Sequence, residues 1–394
     1  MTERDRTKDR TGPMVGLVGA SARAAVVSLA RAGFSACALD LFGDRDLIRI
    51  AETVVCPISD YPTAFPALAR QLPPGPLLYT GGLENHPEIV AQLALARPLW
   101  GNGPSVLARV RDPFWLSANL PPGVGSPRLI LAGELSPREG RWLRKPLRSS
   151  GGRGIRFAQP GEAASPHHHF QEWVPGEAYS AQYVTGAGAG SHTELLGVTE
   201  QLIGASWLHA PPFAYCGNIG IGSVAPEVFA TLAAIGETLG EAAGLHGLWG
   251  LDFILDGDRV WVLEINPRYT AALEVLELAG GFASMSLHAD CFADRSSTAL
   301  SAAASANDQL VGKAIYYAPR RFIFPDSGPW DADLSTPFDP WRIPGYADIP
   351  HPGALIEPGS PVLSIFCTGL SGEECRRRLQ SAAEQLDRLW GGSV

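Results

Sequence analysis

Over the first hundred residues, short apolar runs alternate with stretches of helical spacing. MVGLVG at 14–19 reads as a buried strand, and a helix follows over 22–32, closed by Gly33 as a C-cap. SACALD (35–40), ETVVCPI (52–58) and PLLYT (76–80) predict three more strands, with helices over 61–72 and near 86–96. PLWGN at 98–102 predicts a last strand. Strands and helices alternating at this length predict a parallel sheet with helices on its faces.

Beyond about residue 112 the alternation stops. WLRKPLR (142–148), GIRFA (154–158), HFQEWV (169–174), AYSAQYV (178–184) and HTELLGVTE (192–200) predict strands joined by turn-rich loops. A helix fits 226–243, with Val228, Leu232, Ile235, Leu239 and Ala242 on one face. A hairpin over 248–266 and helical segments between 270 and 293 follow, and the Ala/Ser-rich 294–308 reads as a linker. Residues 311–367 read as short strands and proline turns, and an amphipathic helix over about 371–390 carries Leu379, Ala382, Leu386 and Leu389. The expected organisation is a disordered tail (1–12), an α/β parallel-sheet domain (13–110), α+β lobes (111–293), the linker and a C-terminal lobe (309–394).

Composition excludes several function classes. The 394 residues carry a net charge of −9, which argues against a nucleic-acid partner. No apolar run reaches the ~18 residues that a membrane span needs, and the charged N-terminus lacks a signal-peptide core. The cysteines, Cys37, Cys56, Cys216, Cys291, Cys367 and Cys375, form no CxxC pair, as expected of reduced thiols in a cytoplasmic protein. Of 31 basic residues only Lys8, Lys145 and Lys313 are lysine, so Lys145 marks a position where this chain does not use arginine.

Four segments carry candidate chemistry. The loop Gly16 to Arg23, with Asp40 ending the second strand, stands where a dinucleotide fold places its phosphate turn and ribose acid, but the full GxGxxG is absent. Lys145 runs into Ser149-Ser150-Gly151-Gly152-Arg153-Gly154, a small-residue loop whose amides can turn toward a polyphosphate beside an ammonium point charge. In Gln171-Glu172-Trp173-Val174-Pro175-Gly176-Glu177, an extended backbone can meet a nucleobase edge and an acid can meet ribose hydroxyls. His167, His168 and His169 just before it alternate faces on a strand and converge poorly on one ion. In LWGLDFILDGDRVWVLEINPR, Asp252 precedes Glu264, Asn266 and Arg268, which share one strand face. Carboxylates and an amide oxygen suit Mg²⁺ on substrate phosphates, and an arginine beside them can stabilise a transferring phosphoryl group.

In order and rough spacing this set resembles the ATP-grasp superfamily, over nearly the whole chain. The N-terminal unit resembles the pre-ATP-grasp domain, and the DIPHPGALIEPGSPVLSIF region resembles the C-terminal part of biotin carboxylase-like and purine-synthesis members. The resemblance implies ATP and Mg²⁺ (with Mn²⁺ as an alternative), small-molecule carboxylate and amine substrates, and a two-step acyl-phosphate ligase reaction in a protein that can form homodimers. It places Lys145 on the nucleotide phosphates and the Ser149–Gly154 loop over ATP as a mobile flap. It puts Glu172 and Val174 at the adenine edge, Trp173 between them among the cofactor-binding residues, Glu177 on the ribose, Asp252, Glu264 and Asn266 on the metal, and Arg268 on the acyl-phosphate or carboxylate. Many relatives carry an earlier lysine where this chain reads Asp112-Pro113, with Arg111 the nearest substitute.

The loops Gly19 to Arg23 and Gly81 to Glu84, and the segment Tyr215 to Gly220, are expected to help choose the substrate. The N-terminal wording is similar to ATP-grasp proteins of pterin- and furan-type cofactor pathways, which implies a place in cofactor biosynthesis. Two other classes stay open: a nicotinamide-dependent oxidoreductase using the N-terminal unit, and a nucleotide-binding regulator without turnover. The hairpin offers a geometric expectation. A three-residue loop, Asp256-Gly257-Asp258, pairs Phe253 with Trp261, Leu251 with Leu263 and Asp252 with Val262, and so places Asp252, Glu264 and Asn266 on one face.

Overall fold

Met14–Val18 (β1), Ser35–Asp40 (β2), Glu52–Val55 (β3) and Leu77–Tyr79 (β4) form a parallel sheet in the order β3-β2-β1-β4. The computed structural model describes residues 12–131, 133–163, 165–186, 192–292 and 309–390, so the tail through residue 11 and the linker at 294–308 lie outside the described residues. The strand expected at 98–102 is reduced to one bridge between Leu77 and Leu99. The helix expected over 61–72 is cut to Phe65–Leu68 with short 3-10 turns near it, because Pro62 and Pro66 withhold amides from a longer ladder. The dinucleotide reading fails on Asp40. Its buried carboxylate accepts from the backbone amides of Ala22, Phe42 and Gly43, at 2.6–2.7 Å, so it ties a loop and has no room for a ribose.

Leu129–Ile130 (β5), Trp142–Pro146 (β6), Arg156–Phe157 (β7) and His168–Glu172 (β8) make a small antiparallel sheet in the order β5-β8-β6-β7. The large antiparallel sheet takes Glu177–Thr185 (β9), Thr193–Ile203 (β10), Tyr215–Gly220 (β11), Gly247–Asp256 (β12), Arg259–Asn266 (β13) and Leu310–Tyr317 (β14). Phe322–Ile323 (β15) pairs with Leu355–Ile356 (β17), while Tyr346–Ala347 (β16) and Pro361–Gly369 (β18) complete the large sheet. Its order is β13-β12-β9-β10-β11-β14-β18-β16, so residues beyond 309 do not form a lobe of their own. β14 covers the edge that β11 would otherwise expose.

Helix Pro226–Ala243 packs Val228, Leu232, Ile235 and Leu239 onto one face of this sheet, against Tyr183, Trp249 and Phe253. Ala243, not Ala242, completes that stripe, since it stands four residues after Leu239. Helix Gly372–Trp390 buries Leu379 and Leu386 as expected, whereas Leu389 is exposed and Trp390 is buried in its stead. Three parts of the chain meet in a buried ionic cluster. Arg23 pairs with Glu274 and Asp348, at 3.0 Å and 2.8 Å for one contact of each, and Lys313 reaches the same Glu274 at 2.8 Å.

Candidate nucleotide and metal site

The site begins at the edge of the large sheet. The β12–β13 connection is a two-residue turn, Gly257-Asp258, with Asp256 opposite Arg259 and Gly257 at φ +61°. Glycine relieves the left-handed strain of that turn. The three-residue loop expected from the sequence does not form, and Phe253 pairs with Val262, not Trp261. A β-bulge at Leu263 then shifts the register, so that Asp252 faces Glu264 and Leu251 faces Ile265. One extra residue on a strand reverses the parity of everything after it. Val260, Val262 and Ile265 therefore all point into the core, while Leu263, Glu264 and Asn266 line the cleft. The shared face of Asp252, Glu264 and Asn266 is as expected, reached by a bulge instead of a longer turn.

Asp252 is held by donors from three strands. Ser180 Oγ and Gln201 Nε2 donate to one carboxylate oxygen at 2.9 and 2.8 Å, and Asn266 Nδ2 donates to the other at 3.0 Å. Burial, and then the facing Glu264 charge, still push its pKa up to about 7. Two carboxylates across one strand pair repel, and the repulsion remains unrelieved by the three donors. Arg268 stands beside them, its guanidinium donating to Asn266 Oδ1 at 3.2 Å and to Glu84 at 2.7 Å. Glu84 comes from the loop after β4, so the N-terminal domain reaches the site where the sequence placed the Gly81–Glu84 loop. Arg268 holds the Glu84 carboxyl below the ordinary carboxylate range despite full burial.

Lys145, on β6 of the small sheet, faces this cluster across the cleft. Its ammonium makes no hydrogen bond or ion pair with another described residue, and burial lowers its pKa against the opposing pull of Glu264. Arg111, just past helix Pro104–Val110, supplies a second cation: it donates to Asn85 Oδ1 and to the Ser149 carbonyl, and stands 3.8 Å from Glu264. The Ser149–Gly154 loop closes over the cleft. Asn85 donates to Ser150 Oγ at 2.9 Å, and the Tyr215 amide donates to the Gly151 carbonyl at 3.1 Å. Gly152 has φ +74°, and a Cβ there would lie 1.8 Å from the Phe213 carbonyl oxygen, so only glycine permits this closure.

Between the two sheets lies a cavity of about 420 Å³. Lys145, Ser149, Ser150, Gly151, Gly152, Glu172, Trp173, Val174, Asp252, Glu264, Asn266 and Arg268 all line it, as expected. Two expected residues do not. Gly154 turns back onto Pro146 at the end of the loop. Glu177 points away: Ala178 and Ser180 line the cavity, and strand parity sends Glu177 to the opposite side of β9. The Glu172 carboxylate is taken by Arg128 in a two-pronged pair at 2.9 and 3.0 Å, and the Arg141 guanidinium stacks 3.9 Å over Trp173. The amides of Glu172 and Trp173 donate to the carbonyls of Arg128 and Arg141, whereas that of Val174 carries no hydrogen bond to a described residue. The sequence reading missed Ser180 and Gln201, which hold Asp252, and the apolar walls Ile155, Ile203, Ile254 and Leu263. Their signal was strand parity alone. Among the described residues no three His, Cys, Asp or Glu gather as a metal cluster, since the third candidate ligand is an amide.

An apolar slot, a glycine loop, two cations and a carboxylate pair share one cleft between two antiparallel sheets, and residues 117–272 match the ATP-grasp domain family. No curated protein sequence matches the chain. Among solved structures it is similar to L-amino acid ligase from Bacillus licheniformis, with 14% identity, a TM-score of 0.69 and coverage of 95% of this chain and 98% of that one. The biotin carboxylase domain of Hydrogenobacter thermophilus 2-oxoglutarate carboxylase, solved with MgADP and bicarbonate, gives 14%, 0.65, 94% and 89% on the same measures. N5-carboxyaminoimidazole ribonucleotide synthetase from Thermus thermophilus gives 15%, 0.62, 97% and 99%. At these identities the likeness concerns the fold. No helix among the described residues is long and apolar enough to cross a membrane.

Proposed function

We propose that the protein is an ATP- and Mg²⁺-dependent ligase joining a small-molecule carboxylate to an amine through an acyl-phosphate. The observation that carries this reading is the Asp252–Glu264 pair, two carboxylates placed face to face by a bulge and set opposite an unpaired ammonium. A divalent cation between them fits: it would replace the repulsion that raises Asp252, and Asp252, Glu264 and Asn266 would hold it. When bound, Mg²⁺ supplies charge neutralisation on the nucleotide phosphates.

The chain's own groups do the rest by position and charge. Lys145 and Arg111 draw the phosphates toward the glycine loop, while the Ile254 and Leu263 walls and the Val174 amide take the base. A substrate carboxylate oxygen attacks the terminal phosphorus and ADP leaves. An amine then attacks the acyl carbon, phosphate leaves and the amine loses a proton. Arg268, fixed by Glu84, offers its guanidinium to the oxygens that gain charge. The test is ADP release across a panel of carboxylates and amines, with a thermal shift by MgATP and none by NADH. A shift with NADH alone, or MgATP binding without turnover on any pair, sends the reading to the oxidoreductase or the regulator respectively.

A further inference from the structure

His169 is 5% exposed, yet neither ring nitrogen has a hydrogen-bond partner. The contrast is His288, equally deep, whose Nδ1 accepts from the Leu248 amide at 2.9 Å and whose Nε2 lies 3.2 Å from the Trp100 carbonyl. Buried polar atoms left without partners are uncommon, and each has a cause. Burial and the nearby Lys145, His168 and Arg111 charges depress the His169 pKa to about 3, so the ring is neutral and carries one N–H donor. Its surroundings are cationic: Lys145 is its cross-strand partner on β6, and Arg111 lies close by.

The ring borders a second cavity, of about 430 Å³, on the other side of Arg111 from the nucleotide cleft. Leu107, Phe114, Leu131 and Leu147 give it apolar walls, and of the acids that also line it Glu84 is paired with Arg268 at 2.7 Å and Asp112 accepts from the Phe114 amide at 2.9 Å, while Arg148 adds a further cation. A bare inorganic anion would leave those walls wet, and a purely apolar molecule would leave the His169 ring nitrogens and Arg111 Nε without partners. We propose that this cavity binds a small organic carboxylate, its anionic end on His169 and Arg111 and its apolar body on the leucine and phenylalanine walls. Such a ligand stands one guanidinium away from the nucleotide phosphates. The site shares Arg111 with the nucleotide cleft but rests on its own orphaned donor and its own cavity.

Isothermal titration with 4-methylpentanoate, its neutral amide 4-methylpentanamide, and inorganic phosphate tests it. The acid is expected to bind the wild type, with the amide and inorganic phosphate at least tenfold weaker, the loss of a charge-assisted hydrogen bond or of the apolar contacts. Leu131→Trp, which fills the cavity from its rim, and His169→Phe, which removes the donor at similar size, should each weaken the acid at least tenfold. Leu131→Trp should keep the MgADP thermal shift of the wild type. No binding of the acid, equal binding of the amide, or undiminished binding in Leu131→Trp would overturn the proposal. If His169→Phe does not fold, Leu131→Trp decides alone. A chain that binds the acid but shows no MgADP shift sinks the nucleotide reading and leaves this site standing.

Discussion

Replacing Asp252 by asparagine should stabilise the nucleotide-free protein at alkaline pH while destroying its response to Mg²⁺. In the unfolded chain this carboxyl titrates at about 3.9, and in the fold burial and Glu264 hold it at about 7. Between those values the unfolded chain releases its proton and the folded chain keeps it, so stability falls as pH rises. Above pH 7 the deficit levels off at about 4 kcal/mol, from 1.36 kcal/mol per pH unit. Asparagine keeps an oxygen for Ser180 and Gln201 but sets its NH₂ against Asn266 Nδ2, which costs about 1 kcal/mol. The net gain is about 2–3 kcal/mol at pH 8, close to nothing at pH 5, and slightly negative below the unfolded pKa. Thermal melts of both proteins without nucleotide or metal should coincide at pH 5 and separate by a few degrees at pH 8, with the variant higher. An Asp252→Asn protein that melts below the wild type at pH 8, or by the same margin at both pH values, would refute the account of a repelled carboxylate.

Three further outcomes follow from the same site. Lys145→Arg should weaken MgADP binding at least tenfold by titration calorimetry, because a planar guanidinium cannot replace a compact ammonium in a buried slot already flanked by Arg111. Glu264→Gln should abolish turnover while leaving the melting temperature within a few degrees of wild type, since its carboxylate is 40% exposed and packs no core. Gly152→Ala should lower nucleotide affinity with little loss of stability, because the new Cβ collides with the Phe213 carbonyl and forces the loop off the cleft; wild-type affinity in that variant would remove the loop from the site.

Much of this site was legible in the sequence because its residues obey local periodicity. Glu264, Asn266 and Arg268 alternate on one strand, and Lys145 announces a small-residue loop. The bulge was not legible: Leu263 is as apolar as a core residue, so nothing in the local pattern marks it as the extra one. Glu177 was misplaced for the converse reason, since adjacency to a hinge motif says nothing about which face of β9 a side chain takes. Ser180 and Gln201 lie 72 and 51 positions from Asp252, and only sheet pairing brings them to it. Arg111 could be flagged because the motif lacked a lysine at that point, yet its hold on Ser149 needed the fold. The parallel sheet followed from alternation, whereas the merging of the last 80 or so residues into the large sheet depends on β11–β14 pairing, which no local pattern encodes.

The buried cluster around Arg23 bears on the order in which this chain can become a protein. Arg23 leaves the ribosome early, but its partners Glu274 and Asp348 are synthesised 251 and 325 residues later. Until then the Arg23 guanidinium has Asp46 of its own unit 3.7 Å away but lacks the two later carboxylates that hold it in the fold, so the parallel-sheet unit waits in an undocked form. At 5–20 residues per second that wait lasts on the order of 15–60 s. The nucleotide cleft, whose Glu84 and Asn85 come from that unit, is therefore assembled only after nearly the whole chain has emerged. A prematurely ended chain would carry Asp252, Glu264 and Asn266 and still lack the assembled cleft.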